Sequence, residues 1–113
     1  MVPIDLRSLA GAAEVNARGS RVAALDDYQI GISRFSRHPR WEIHPEADEF
    51  VQVIDGELGV SFLDGDEMVL GPGQFVVIPR NVWHSPIPRG TVSVLTMSRY
   101  EGTRTSDEVD PRG

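Results

Sequence analysis

An all-β domain of the sandwich or barrel class is what this sequence predicts, and three features predict it. The chain has 113 residues, 40% of them hydrophobic, which suits one compact core and excludes a disordered chain. From Arg21 onward the apolar residues come in short alternations of strand length, not at helical spacing. Gly, Pro and Asp pairs cut those runs, and such residues end strands and make turns.

The elements follow in chain order. Asp5 can cap a short helical turn from Leu6 to Ala13, with Glu14 late in it and Gly11 weakening it. Residues 1–20 thus form an N-terminal segment, and a single β domain is expected over residues 21–101. Its candidate strands run Arg21 to Leu25, Tyr28 to Phe35, Trp41 to His44, Phe50 to Ile54, Glu57 to Leu63, Glu67 to Leu70, Gln74 to Ile78, Val82 to Ser85 and Thr91 to Ser98. Asp64-Gly65-Asp66 reads as a hairpin turn that uses positive φ at Gly65, Asp55-Gly56 as a turn between two apolar runs, and Gly71-Pro72-Gly73 as another. Val51, Val53, Val60, Phe62, Leu70, Phe75, Val77, Ile78, Val92 and Val94 are the expected core or pocket wall. Residues 102–113, polar with a single valine, read as a mobile tail or a segment lying over a neighbour.

Composition narrows the function. There is no cysteine, so no disulfide and no thiolate ligand is available, and any metal must be held by histidine and carboxylate. The net charge is −6 and the basic residues are scattered singly, which argues against nucleic acid as a partner. No stretch has the apolar length of a membrane span, and the N-terminus lacks the basic and apolar pattern of a secretory signal. The expected location is the cytoplasm, with no membrane partner.

One short stretch, WEIHPEADEF from Trp41 to Phe50, concentrates chemistry. Side chains alternate along a strand, so Glu42 and His44 share a face and Trp41 and Ile43 the other. After the connection at Pro45 to Asp48, Glu49, Val51 and Val53 line one face of the next strand. An inward Glu49 needs a cation or several donors, because an unpaired buried charge is costly. Asp48, of opposite parity, faces away. His84 arrives later, beside Trp83. If its strand packs beside the first cluster, Glu42, His44, Glu49 and His84 converge into a nitrogen and oxygen pocket suited to divalent iron, manganese, zinc or nickel. His38 reads as an exposed loop side chain close enough to a barrel mouth to touch substrate, and Trp41 and Trp83 as core or dimer-interface packing.

These residues resemble a small single-domain cupin, a double-stranded β-helix or jelly-roll barrel. The family's first motif is His-x-His, three or four residues, Glu, six residues, Gly. His44, Glu49 and Gly56 match it. Its second motif is Gly, five residues, Pro, one, Gly, two, His, three, Asn, and Gly73, Pro79 and His84 match that. Glu42 stands at the first histidine position, Asn81 at the turn glycine and Pro88 at the closing asparagine. Asn81 tolerates left-handed backbone, so the turn is preserved. The resemblance covers about residues 30 to 100.

It implies a divalent metal cofactor held by His44, Glu49 and His84, with Glu42 as fourth ligand, as catalytic base, or as a partner behind a histidine. It also implies a small-molecule substrate. Dioxygenase-like chemistry on a small polar or enolisable metabolite leads, with isomerase or lyase chemistry on the same site. The alternative is a non-catalytic module that binds or senses a metabolite or metal. Small cupins often pair, and the apolar edge RVAAL predicts a homodimer.

Overall fold

The alternation that starts near Arg21 becomes an antiparallel sheet, seen in a computed structural model that describes residues 1–113. Helix α1, Leu6–Ala12, precedes it. The Ser8 N–H donates to Asp5 Oδ1 at 3.1 Å, which satisfies one free donor of the first turn as the sequence predicts. Strands β1 (Ser20–Leu25), β2 (Tyr28–Phe35), β3 (Trp41–Ile43), β4 (Glu49–Phe62), β5 (Glu67–Leu70), β6 (Phe75–Ile78), β7 (His84–Ser98) and β8 (Arg104–Ser106) follow. The path β1-β2-β7-β3-β8 is joined through β7 to β4, which also pairs with β5 and β6. The sheet curls over its own core as a mostly β jelly roll. No helix is long and apolar enough to cross a membrane.

Two expected breaks between strands, one of them the Asp55-Gly56 turn, instead lie inside long strands. Phe50 to Ile54 and Glu57 to Leu63 merge into β4, and Val82 to Ser85 and Thr91 to Ser98 into β7, which starts at His84. Asp55-Gly56 is a bulge: the β4–β7 register shifts between Val53 and Asp55 and again between Asp55 and Glu57. Gly56 makes it possible. Its φ is +84°, and a Cβ there would lie 2.5 Å from the Thr91 carbonyl oxygen. The bulge changes which parity faces inward, from Glu49, Val51 and Val53 before it to Leu58 and Val60 after it. The Asp64 hairpin does form, closed by the Phe62 N–H on the Asp66 carbonyl at 3.1 Å. Gly65 does not use positive φ there.

The core is Val51, Val53, Leu58, Val60, Leu70, Ile78, Val92 and Val94, with Phe35, Phe62 and Val76 packed against it. Phe75 and Val77, expected in it, are 60% and 52% exposed. Register explains the correction. Ile78 pairs with Glu49 and Val76 with Val51, so those two share the inward face, while Phe75 and Val77 pair with Gln52 and Phe50 on the outer one. An apolar run in a strand does not by itself say that both faces are covered.

The expected tail is a second correction. Arg104–Ser106 forms β8 against β3, and the Arg40 N–H donates to Asp107 Oδ1 at 2.9 Å. A strand laid on a sheet edge is held by backbone hydrogen bonds and needs no apolar run. Trp41 is buried, while Trp83 is half-buried with the Arg104 guanidinium 5.5 Å from its ring centre.

Candidate metal centre

Strand register gathers the four groups singled out in the sequence. Glu42 on β3 pairs directly with His84 at the start of β7, so they are cross-strand neighbours. His44 follows β3 and Glu49 opens β4. The connection between them is pinned from outside: the Asn81 N–H donates to the His44 carbonyl at 3.0 Å, the Arg80 N–H to Asp48 Oδ1 at 2.9 Å, and the Ser98 hydroxyl to the Asp48 carbonyl at 2.9 Å. Asn81 sits at φ 60°, the left-handed turn expected of it. Asp48 faces away, ion-paired to Arg80.

The ligand atoms of Glu42, His44, Glu49 and His84 all lie within 4.8 Å of one another. Glu42 Oε1 is 3.0 Å from His84 Nε2 and 3.4 Å from His44 Nε2, and Glu49 Oε1 is 3.6 Å and 3.3 Å from the same two atoms. His44, Glu49 and His84 are buried. Outer partners turn them inward. His84 Nδ1 donates to the Val82 carbonyl at 3.0 Å, His44 Nδ1 lies 2.8 Å from Thr103 Oγ1, and the Tyr100 hydroxyl donates to Glu49 Oε2 at 2.8 Å.

These contacts decide which atoms are free. A carbonyl only accepts, so His84 must carry a proton on Nδ1. When neutral, its Nε2 then aims a lone pair at a carboxylate oxygen. Two acceptors 3.0 Å apart need a cation between them or a second proton on the ring. His44 Nε2 is buried and makes no well-formed hydrogen bond, although carboxylate oxygens of Glu49 and Glu42 lie 3.3 and 3.4 Å away. Two neutral imidazoles and two carboxylates match the charge of one divalent ion, and the mixed nitrogen and oxygen set suits iron, manganese, zinc or nickel. The donor set therefore fits a metal.

Without an ion, protons fill that role. Burial disfavours imidazolium, but the carboxylates of Glu42 and Glu49 outweigh it, pushing His44 up to about 9 and His84 up to about 10. Burial likewise opposes the charge on Glu42 and Glu49, and the facing histidines overcome it, so both stay below the usual carboxylate range. Burial and the Glu49 charge raise the Tyr100 phenol, which keeps it a donor.

His38 needs correcting. It is half-buried, with Nδ1 2.8 Å from the Pro39 carbonyl and Nε2 3.3 Å from Glu42 Oε2. Glu42 thus gives one oxygen to the cluster and the other to His38. Tyr100 and Thr103 were not foreseen either. Tyr100 follows β7 on the same parity as the cavity-lining Val94 and Thr96, so strand alternation could have pointed to it. Nothing in EGTRTS marks Thr103, which lies just before β8 on its return past β3. The cluster lines a cavity of about 830 Å³, whose apolar wall includes Phe35, Val51, Leu58, Val60, Ile78 and Val94.

Fold and site together define a small jelly-roll barrel with a histidine and carboxylate cluster able to hold a metal ion inside it. Residues 35–98 match the cupin domain, and the chain belongs to the cupin family. Over 80 residues it is 30% identical to the uncharacterized protein YdbB of Bacillus subtilis strain 168, covering 71% of each chain. The crystal structure of a cupin-2 domain containing protein from Shewanella frigidimarina superposes with a TM-score of 0.77 at 23% identity, over 84% of this chain and 92% of that one. The fold also matches iron(II) HppE in complex with its substrate, with a TM-score of 0.63 at 11% identity, over 78% of this chain and 57% of that one.

Proposed function

We propose that the protein is a metal-dependent enzyme for a small polar or enolisable metabolite, with oxygenase-type chemistry foremost and isomerase or lyase chemistry open to the same groups. One observation carries this reading: four donor atoms within 4.8 Å of one another, one of them the Nε2 of buried His44, which makes no well-formed hydrogen bond, in the wall of a cavity large enough for a metabolite. The iron(II) centre of HppE, on the same fold, supports it. His44, Glu49 and His84 would hold the ion. When bound, a divalent ion supplies Lewis acidity toward a substrate oxygen and, if it is iron, redox chemistry.

The chain's own residues do the rest. Tyr100 orients Glu49, and Val82 fixes the His84 tautomer so that Nε2 faces inward. His44, Glu49 and His84 are themselves buried, which strengthens each polar contact among them. Glu42 has two roles within reach: a fourth ligand through Oε1, or a base that takes a substrate proton and is steadied by His38 at Oε2.

Protein purified without chelator is expected to carry close to one equivalent of metal by elemental analysis, and to consume oxygen with a member of a panel of diketones, thiols and sugar acids. Glu42→Gln divides the roles: lost metal makes it a ligand, retained metal with lost turnover makes it the base, and no change in either removes it from the site. Stoichiometric metal without turnover on any substrate would favour a binding or sensing module instead.

We also propose a homodimer. β1 lies at one end of the sheet path, paired only with β2, and leaves Leu25 56% exposed. Light scattering is expected to give twice the chain mass; a monomeric mass rejects the pairing.

A further inference from the structure

The basic residues look scattered along the sequence, yet the fold carries two of them to one place. Arg18, before β1, and Arg37, after β2, both line the cavity that holds the Glu42, His44, Glu49 and His84 cluster. Asn16 ties the two segments together. Its side chain accepts from the Ser36 N–H at 2.9 Å and the Arg37 N–H at 3.3 Å and donates to the Ser36 hydroxyl at 3.0 Å, while its own N–H donates to the Arg34 carbonyl at 2.8 Å. The side chains of Arg18 and Arg37 are left free: the arginine ion pairs of this chain employ Arg80 and Arg112, and no acid lies within pairing distance of Arg18 or Arg37.

The charges lining the cavity can be set against one another. With neutral imidazoles, a divalent ion offsets Glu42 and Glu49, and the two guanidiniums outweigh Asp107, the remaining acid of the lining, by one charge. With the ion in place, a protein of net charge −6 would therefore present a cavity with a positive excess. An excess of one suits a monoanion better than a phosphate dianion. Guanidinium groups match a carboxylate in shape, since each offers parallel N–H donors to its two oxygens. The same cavity is lined by all four residues of the donor cluster, in which His44 Nε2 is buried without a hydrogen bond.

We infer that the substrate is a small carboxylic acid held at two points, with its carboxylate on Arg37 and Arg18 at the rim and an oxygen-bearing group facing the donor cluster within. This rests on the metal reading above, and it names the substrate class and two specificity-determining residues. Neither arginine belongs to the donor cluster, so replacing them leaves the ion in place.

The test uses cobalt-loaded protein and follows its visible spectrum. Monohydroxamates of succinic, glutaric, adipic and suberic acid are titrated beside alkanohydroxamates of equal length, so that one end meets the ion and only the first set carries a distant carboxylate. At the chain length that spans the cavity, the carboxylate is expected to tighten binding about tenfold or more, as a charge-assisted pair does. Arg37→Gln and Arg18→Gln, both at exposed positions, should each remove most of that gain. Cobalt affinity, alkanohydroxamate binding and melting temperature should stay unchanged. If cobalt binds but no chain length shows a gain, or the gain survives both substitutions, the two-point inference is overturned alone. Failure to take up cobalt overturns the metal reading and this inference with it.

Discussion

His84→Ala is expected to lose its metal. Glu42 and Glu49 each have an oxygen within 3.6 Å of His84 Nε2, and the side chain is about as buried as any in the protein. Removing a partner behind a ligand typically costs about 10–100-fold in metal affinity, so removal of a ligand itself should exceed about 100-fold. Tyr100→Phe supplies the internal comparison, because it takes away only the hydroxyl behind Glu49 and should fall inside the lower range. A second effect appears without metal. Glu42 and Glu49 would lose half of the cation that neutralises them, and breaking a buried ion pair on one side costs about 3–5 kcal/mol. A chelator-dye competition measures the affinity, and urea unfolding in excess chelator measures the stability. A His84→Ala protein that binds cobalt as tightly as the parent would remove His84 from the ligand set.

The contrast between His84 and Tyr100 also shows which parts of this site a sequence can disclose. Strand parity is local, so the inward face of Glu42, His44 and Glu49 follows from counting residues in WEIHPEADEF, as does the outward Asp48. The two motifs, with Asn81 supplying a left-handed turn where the family has glycine, place His84 opposite them. Distant contacts are not local. Thr103 reaches the site because the polar segment after residue 102 turns back as β8, and no apolar period announces a strand held at an edge by its backbone. Tyr100, by contrast, is set beside Glu49 by the β4–β7 register and continues the inward parity of Val94 and Thr96. His38 reads as exposed in the sequence, since its contact with Glu42 depends on the loop after β2, which has no periodicity.

The fold divides along the same line. Short turns with Gly and Asp were legible, but a bulge and a turn share the same residues. Asp55-Gly56 has the sequence of a turn and the structure of a bulge. Only the crowding of Gly56 against Thr91, a contact across strands, tells them apart. Phe75 and Val77 repeat the lesson in the core. Their register with Gln52 and Phe50 puts them outside, where ring contact between Phe50 and Phe75 at 4.9 Å covers part of the outer surface.

The ion-free protein should lose stability with rising pH where the metal-loaded protein keeps it. In the ion-free protein, burial resists charge on His44 and His84 but the two carboxylates win, and their folded values rise to about 9 and about 10 against 6.5 when unfolded. A raised value contributes stability that is fully present below pH 6.5 and is lost as pH climbs through 9 to 10. Glu42 and Glu49 are depressed, so their share is present above about 4.5 and disappears as pH falls toward their folded values. Ion-free protein is thus most stable between about pH 4.5 and 6.5, and each proton held only by the folded state steepens the alkaline decline by at most about 1.4 kcal/mol per pH unit. A metal replaces those protons, so its binding releases them and its affinity grows with pH over the same alkaline window. Melting temperatures with cobalt and with chelator should therefore nearly coincide at pH 5.5 and separate progressively up to pH 9.5. A gap that stays constant across that range would mean that His44 and His84 do not exchange protons for the ion.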